Sequence, residues 1–175
     1  ITGLGYQLRF DRWNMNIFGK MYALYSSSHK LRDQFLETEH WEQVSERKRQ
    51  LGYGAAATYF FLPFLQAKVS FEQAYRMPEA IEMFGDGLIQ KSNPDLQPEN
   101  SKNLNIGVGL DKRFESGHRV TAEVNYIYRY TKDFILKGVS LTSDPTTSYE
   151  NIGKAVTHGI EATARYDYDN RFHVG

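Results

Sequence analysis

Along most of the chain apolar and polar residues alternate one by one, the period of a β-strand with two unlike faces. Residues 1–10 set Leu4, Tyr6, Leu8 and Phe10 against Gly5, Gln7 and Arg9, and a polar turn follows at residues 11–14. A second strand reaches about Ser26, with Met15, Ile17, Met21, Ala23 and Tyr25 on one side. Asn14, Asn16 and Lys20 take the other side, which Phe18, Tyr22 and Leu24 blur. Residues 51–62 alternate Leu51, Tyr53, Ala55, Ala57, Tyr59 and Phe61 with Gly52, Gly54, Ala56 and Thr58. Residues that small on one face predict a crowded interior against which something large packs. Pro63 lacks a ladder donor and marks a turn. Residues 65–75 then place Leu65, Ala67, Val69, Phe71 and Tyr75 opposite Gln66, Lys68, Ser70 and Glu72.

The alternation is clearest at residues 103–110, where Leu104, Ile106, Val108 and Leu110 face away from Asn103, Asn105, Gly107 and Gly109. Gly117 closes a tight turn, and residues 120–130 resume with Val120, Ala122, Val124, Tyr126, Tyr128 and Tyr130, Ile127 being an exception. The last full strand carries Ile160, Ala162, Ala164 and Tyr166 opposite Glu161, Thr163, Arg165 and Asp167, and residues 171–175 open another. Connections at 11–14, 63–64, 115–117 and 168–170 are short, and those at 27–50, 77–100 and 131–150 are long. Within 29–50, Leu31, Phe35, Trp41 and Val44 have loose helical spacing, which admits a short helix. Short and long alternate strictly, so every short turn lies at one end of an up-and-down sheet. Membrane barrels of bacterial outer membranes have that asymmetry. A Greek-key sandwich has no reason to sort its loops this way.

Composition alone points elsewhere. Mean hydropathy is −0.56, and no run approaches the roughly 18 apolar residues of a membrane helix. In a barrel, however, only alternate residues meet lipid, so the average stays polar. The 12 Tyr, 11 Phe and 2 Trp suit interfacial girdles, although a tyrosine-rich soluble sandwich accounts for them equally. Lys+Arg and Asp+Glu balance at 21 each, so no net field recruits nucleic acid. The absence of cysteine excludes disulfides, thiol catalysis and Cys-ligated zinc.

Two phrases carry a family resemblance. The first runs Tyr75-Arg76-Met77-Pro78, Glu82-Met83-Phe84-Gly85, Asn93-Pro94-Asp95-Leu96, then Pro98-Glu99 and Ser101. The second is Asn151-Ile152-Gly153-Lys154-Ala155 followed by Gly159-Ile160-Glu161. In this order, with a strand-like segment at each expected place, they resemble the β-barrel of TonB-dependent outer-membrane receptors. The resemblance implies an all-β antiparallel meander over residues 1–175, about eight strands with the last incomplete, within a barrel of about 22 strands. It implies an N-terminal plug domain and a TonB box outside this chain, an outer-membrane setting in a Gram-negative bacterium, and lipid around the barrel. The implied function is binding and TonB-driven import of a scarce solute, an iron chelate, cobalamin or glycan, with no enzymatic activity and no cofactor. A soluble carbohydrate-binding β-domain and another outer-membrane barrel such as a porin remain as alternatives.

Catalytic and metal chemistry finds little footing. His29, His40, His118, His158 and His173 lack ligand spacing, with His40 and His158 left as weak metal or haem candidates. Glu79, Glu82 and Asp86 read as solvated loop acids, because no nucleophile or base stands at a useful spacing. The constellation of interest is Lys68, Glu72, Arg76, Glu123, Arg129, Glu161 and Arg165, all on polar strand faces. In a barrel these line the lumen, where opposite charges pair and grip a luminal plug.

Overall fold

A computed structural model describes residues 1–31, 41–86, 89–140, 146–168 and 172–174. It holds one eight-stranded antiparallel sheet in which each strand pairs with its neighbours in sequence. The strands are β1 (Thr2–Arg9), β2 (Trp13–Leu31), β3 (Trp41–Leu62), β4 (Leu65–Arg76), β5 (Glu99–Arg113), β6 (His118–Ser140), β7 (Thr146–Tyr168) and β8 (Phe172–Val174). One helical turn, α1 (Ala80–Phe84), interrupts the β4–β5 connection.

The short turns fall where alternation stops. Phe10 N–H donates to the Trp13 carbonyl at 2.8 Å, and Gly117, at φ 83°, donates to Phe114 at 3.1 Å. The register shifts between Phe60 and Leu62, just before Pro63, where a missing N–H is tolerated.

Two expected loops are largely strand. Residues 27–31 and 41–50 extend β2 and β3, with Ser26 opposite Glu46 and Tyr25 opposite Arg47. Trp41 and Val44 therefore lie on a strand, not the expected helix, while Phe35 and His40 fall outside the described residues. Residues 131–140 and 146–150 likewise extend β6 and β7. The physical reason is that a backbone ladder persists in water without an apolar face, so alternation loses its signal before the strand ends. At about 3.3 Å per residue, the 23 residues of β6 and of β7 reach about 75 Å. β4, with 12 residues, reaches about 40 Å by the same rise.

The register sorts the side chains onto two faces. One row across the sheet reads Leu8, Met15, Ala57, Val69, Ile106, Tyr126, Ile160. One residue along on β4, the row of the opposite parity traced through Lys68 reads Asn14, Thr58, Lys68, Gly107, Asn125, Glu161. The apolar face is open: Ile17 is 51 % exposed, Ile106 48 % and Ile160 74 %. Aromatic rings gather at its ends. Trp13 lies 4.6 Å from Tyr59, and Tyr59 meets Phe61 edge-on at 4.8 Å near the short turns. Toward the other end Tyr53 and Phe71 stand 6.3 Å apart.

Candidate functional site

On the polar face, small residues on the middle strand of a triplet let long side chains on the outer two meet. Two strand spacings are about 9.6 Å, too far for short side chains. Lys20 on β2 reaches Glu72 on β4 at 2.7 Å, passing over Gly52 and Gly54 of β3. Lys68 on β4 reaches Glu123 on β6 at 3.0 Å, passing over Gly107 and Gly109 of β5. On β3 the glycines are required. A Cβ at Gly54 would stand 2.5 Å from Phe18 Cζ and 2.8 Å from the Phe71 carbonyl oxygen. Phe18 and Tyr22, which blur the alternation of β2, are the large groups whose presence the small residues of β3 predicted. Tyr22 is buried at 6 % exposure, its ring 5.9 Å from Tyr75.

At the end remote from the short turns, the segment between β4 and β5 is folded and docked. α1 begins at Glu79, whose N–H donates to Glu82 Oε2 at 2.8 Å in a capping box. Met83 and Leu96 are fully buried and pack with Ile135 of β6, Leu24 of β2, Phe84 and Tyr149 of β7. A sheet open on both faces buries little else. Hydrogen bonds fix the same segment: Lys91 N–H to the Thr147 carbonyl at 2.7 Å, Asn93 Nδ2 to the Tyr149 carbonyl at 2.8 Å, and Lys48 Nζ to the Pro94 carbonyl at 3.3 Å. Asn151 Nδ2 donates to the carbonyls of Gln97 and Asp133, at 2.9 and 2.7 Å. Asp133 itself is the one described non-glycine residue at positive φ, 54°.

Arg76 ties this segment to the sheet. Its guanidinium donates to Glu82 at 3.2 Å and to Glu99 at 3.0 Å. Glu99 also accepts the N–H of Ile135 at 2.9 Å. Glu82 is therefore not the solvated loop acid expected from sequence, because it is buried at 7 % exposure and paired. Glu79 and Asp86 are exposed, and Asp86 accepts the N–H groups of Ile89 and Gln90 at 3.0 and 2.8 Å.

The charged constellation thus shares one sheet parity but forms no single cluster. Of its members only Lys68 and Glu123 pair with each other. Glu72 pairs with Lys20, and Arg76 with Glu82 and Glu99. Arg129 donates to Asn103 Oδ1 at 2.9 Å, and Arg165 to Asp167 at 2.9 Å. Glu161, opposite Asn125, forms no ion pair with a described residue. Sequence reasoning missed Lys20 and Glu99 as partners; for Lys20 the glycines opposite both members of the pair were a usable signal, whereas Glu99 stands directly opposite Arg76. His118 hydrogen-bonds Tyr166 and stacks 4.7 Å from Tyr168, while His158 is exposed on the apolar parity opposite Tyr128. No group of acids and histidines able to hold a metal forms among the described residues.

Comparison with known proteins fits this architecture. The family model described as "TonB dependent receptor-like, beta-barrel" matches residues 4–175. Heme/hemopexin utilization protein C of Haemophilus influenzae is 28 % identical over 155 residues, covering 70 % of this chain and 21 % of that protein. The chain thus spans about a fifth of that relative's length. Among solved structures, a mutant of the Serratia marcescens hemophore receptor HasR, in complex with its hemophore HasA and heme, superposes with a TM-score of 0.66. It is 18 % identical, with 89 % of this chain and 28 % of that chain covered. The copper transporter OprC gives a TM-score of 0.69 at 16 % identity, over 94 % of this chain and 25 % of that chain. Among the described residues one sheet forms, and no second sheet lies on its apolar face. The chain belongs to the β-barrel family of TonB-dependent receptors, transport receptors of the bacterial outer membrane rather than enzymes.

Proposed function

We propose that residues 1–175 are a sector of a receptor barrel in the outer membrane of a Gram-negative bacterium, with further strands and a plug domain supplied by the rest of the protein. The observation that carries this reading is the face segregation of the sheet. Apolar residues occupy one parity from β1 to β7 with nothing upon them, and glycines and ion pairs occupy the other. The first face meets lipid, and aromatic rings at both its ends suit the two interfaces. The second lines the lumen. There Lys68, Glu72, Arg76, Glu123, Arg129, Glu161 and Arg165 contact the plug, and the low mass of Gly52, Gly54, Gly107 and Gly109 leaves it room. Strands β2, β3, β6 and β7 exceed the 9–11 residues that cross a bilayer, so their remote ends project outside the cell with the docked segment.

The whole receptor binds a scarce solute at that outer end and imports it with energy delivered by TonB. Within the classes of iron chelate, cobalamin and glycan, the relatives named for heme utilization and for a hemophore support an iron chelate, heme first. The test is growth of an iron-starved host, lacking its own heme receptors, that expresses the full-length receptor. Heme as sole iron source should sustain growth only when TonB is present. Growth that is independent of TonB would overturn the transport reading, and growth on siderophores or cobalamin but not heme would reassign the ligand.

A further inference from the structure

We propose that the apolar face carries a site for a phosphorylated membrane lipid, built from an aromatic groove and a patch of lysines at its rim. This rests on the reading that the apolar face meets lipid. Phe71, Leu104, Tyr128 and Tyr130 line a groove of about 370 Å³ with Lys102 at its edge. One step further from the short turns, Lys132 stands directly opposite Lys154, and Asn100 stands opposite Lys132. Lys102 lies opposite Tyr130 on the same parity. All of these lysines are exposed.

A Lys–Lys pair directly across a ladder is repulsive. Nothing described relieves it, for Lys102, Lys132 and Lys154 form no ion pair or hydrogen bond with a described residue, whereas Lys20 and Lys68 on the other face are paired. The nearest carboxylate on that parity of β7 is Glu150, opposite Leu136 and four residues away, about 13 Å along the strand. Its Oε1 accepts from Ser148 Oγ at 3.2 Å. An uncompensated cationic pair above an open apolar groove matches one ligand chemistry: an anionic head over a hydrocarbon tail. The phosphate bridges Lys132, Lys154 and Lys102, and an acyl chain lies along Phe71, Leu104 and Tyr128. The lysines interrupt the apolar parity at the outer end of the tyrosine row of β6, with the Phe134–Ile152 pair beyond them.

The test uses the full-length receptor, stripped of lipid in neutral detergent and titrated in native mass spectrometry. The probes are phosphatidic acid, diacylglycerol of the same chains, and inorganic phosphate. A lysine near a lipid phosphate is worth about fivefold in affinity, so the set is worth about a hundredfold. Phosphatidic acid should bind about a hundredfold tighter than diacylglycerol. The combined Lys102→Gln, Lys132→Gln and Lys154→Gln variant should lose that advantage, and Leu104→Trp, which fills the groove, should weaken both lipids. Equal binding of phosphatidic acid by wild type and lysine variant overturns the site. So does complete displacement by equimolar inorganic phosphate with no effect of Leu104→Trp, which would mean a bare anion patch. Insertion into phosphatidylcholine vesicles is followed in parallel. A receptor that inserts but shows no phosphate preference refutes the site alone, and one that does not insert refutes the membrane-facing reading and the site with it.

Discussion

Leu96→Ala should release the segment between β4 and β5 while leaving the barrel folded. Leu96 and Met83 are fully buried and Ile135 is 6 % exposed, so the truncation opens a void with no solvent to fill it. Leucine-to-alanine changes in such cores cost about 2–5 kcal/mol. At tenfold per 1.4 kcal/mol, that raises the open population of the segment about thirtyfold to several thousandfold. The ladder of β2 to β7 contains neither Leu96 nor Met83, so the loss is confined to the docked segment. Trypsin reports it at Lys91, whose N–H is held by the Thr147 carbonyl at 2.7 Å in the docked state. When opening is fast relative to cleavage, the cutting rate follows the open population. The full-length receptor carrying Leu96→Ala should therefore be cut at Lys91 at least thirtyfold faster, with its global urea midpoint unchanged. Ile135→Ala, which approaches the same cluster from β6, should also speed cutting at Lys91, and its place on the ladder lets the global midpoint fall as well. A rise below threefold in both variants would mean that this cluster does not hold the segment.

The glycine tracks make a second prediction: Gly54→Val should lower the refolding yield and urea midpoint, because Phe18 and the Phe71 carbonyl leave no room for a side chain. Overpacking costs about 1–3 kcal/mol, whereas Gly159→Val, with nothing within 4 Å, should be neutral in the same assay. The Lys68–Glu123 pair is half-exposed, 41 % and 37 %, so a double-mutant cycle should return a coupling of about 0.2–1 kcal/mol. That value applies to the barrel without its plug; in the full-length receptor, where the proposed plug contact desolvates the pair, the coupling should exceed it. Sidedness is read by epitopes in the full-length receptor: one near Lys137 should be labelled on intact cells and one at Ser116 should not, and the reverse result inverts the topology.

Much of this fold was legible because one face repels water and the other does not. Where that contrast exists, as at Leu104 to Leu110 beside Asn105 and Gly107, single residues gave the strand, its parity and its neighbours. Where both faces are solvated the contrast vanishes. Ser26 to Ser28 and Glu46 to Arg49 read as loop, yet they form a ladder, because backbone pairing needs no apolar side chain. The same loss of contrast hid the lower half of β7, including Asn151. Of the candidate site, the parity of Lys68 and Glu123 was readable from alternation, but their partnership needed the register, which places Gly107 and Gly109 between them. Glu82 was misread for a different reason. Its burial depends on Met83, Leu96 and Ile135 meeting across a long sequence separation, and no local pattern announces that. The residues that carry the family phrase, Arg76, Glu82, Asn93, Leu96, Glu99 and Asn151, are those that dock the segment.

If the two parities of this sheet face lipid and lumen, neighbouring residues of one strand differ in what can reach them. Residues 103–108 of β5 test this most directly, since residues 1–175 contain no cysteine and any in the rest of the receptor is first replaced by serine. Single cysteines are placed at positions 103 to 108 in the full-length receptor, spin-labelled, and reconstituted in bilayers. Collision with oxygen, enriched in hydrocarbon, is then compared with collision with a water-soluble nickel chelate. Leu104, Ile106 and Val108 should favour oxygen, and Asn103, Asn105 and Gly107 should favour nickel, an alternation with period two. A flat profile, or nickel access at Ile106 and Val108 equal to that at Asn105, would contradict the account.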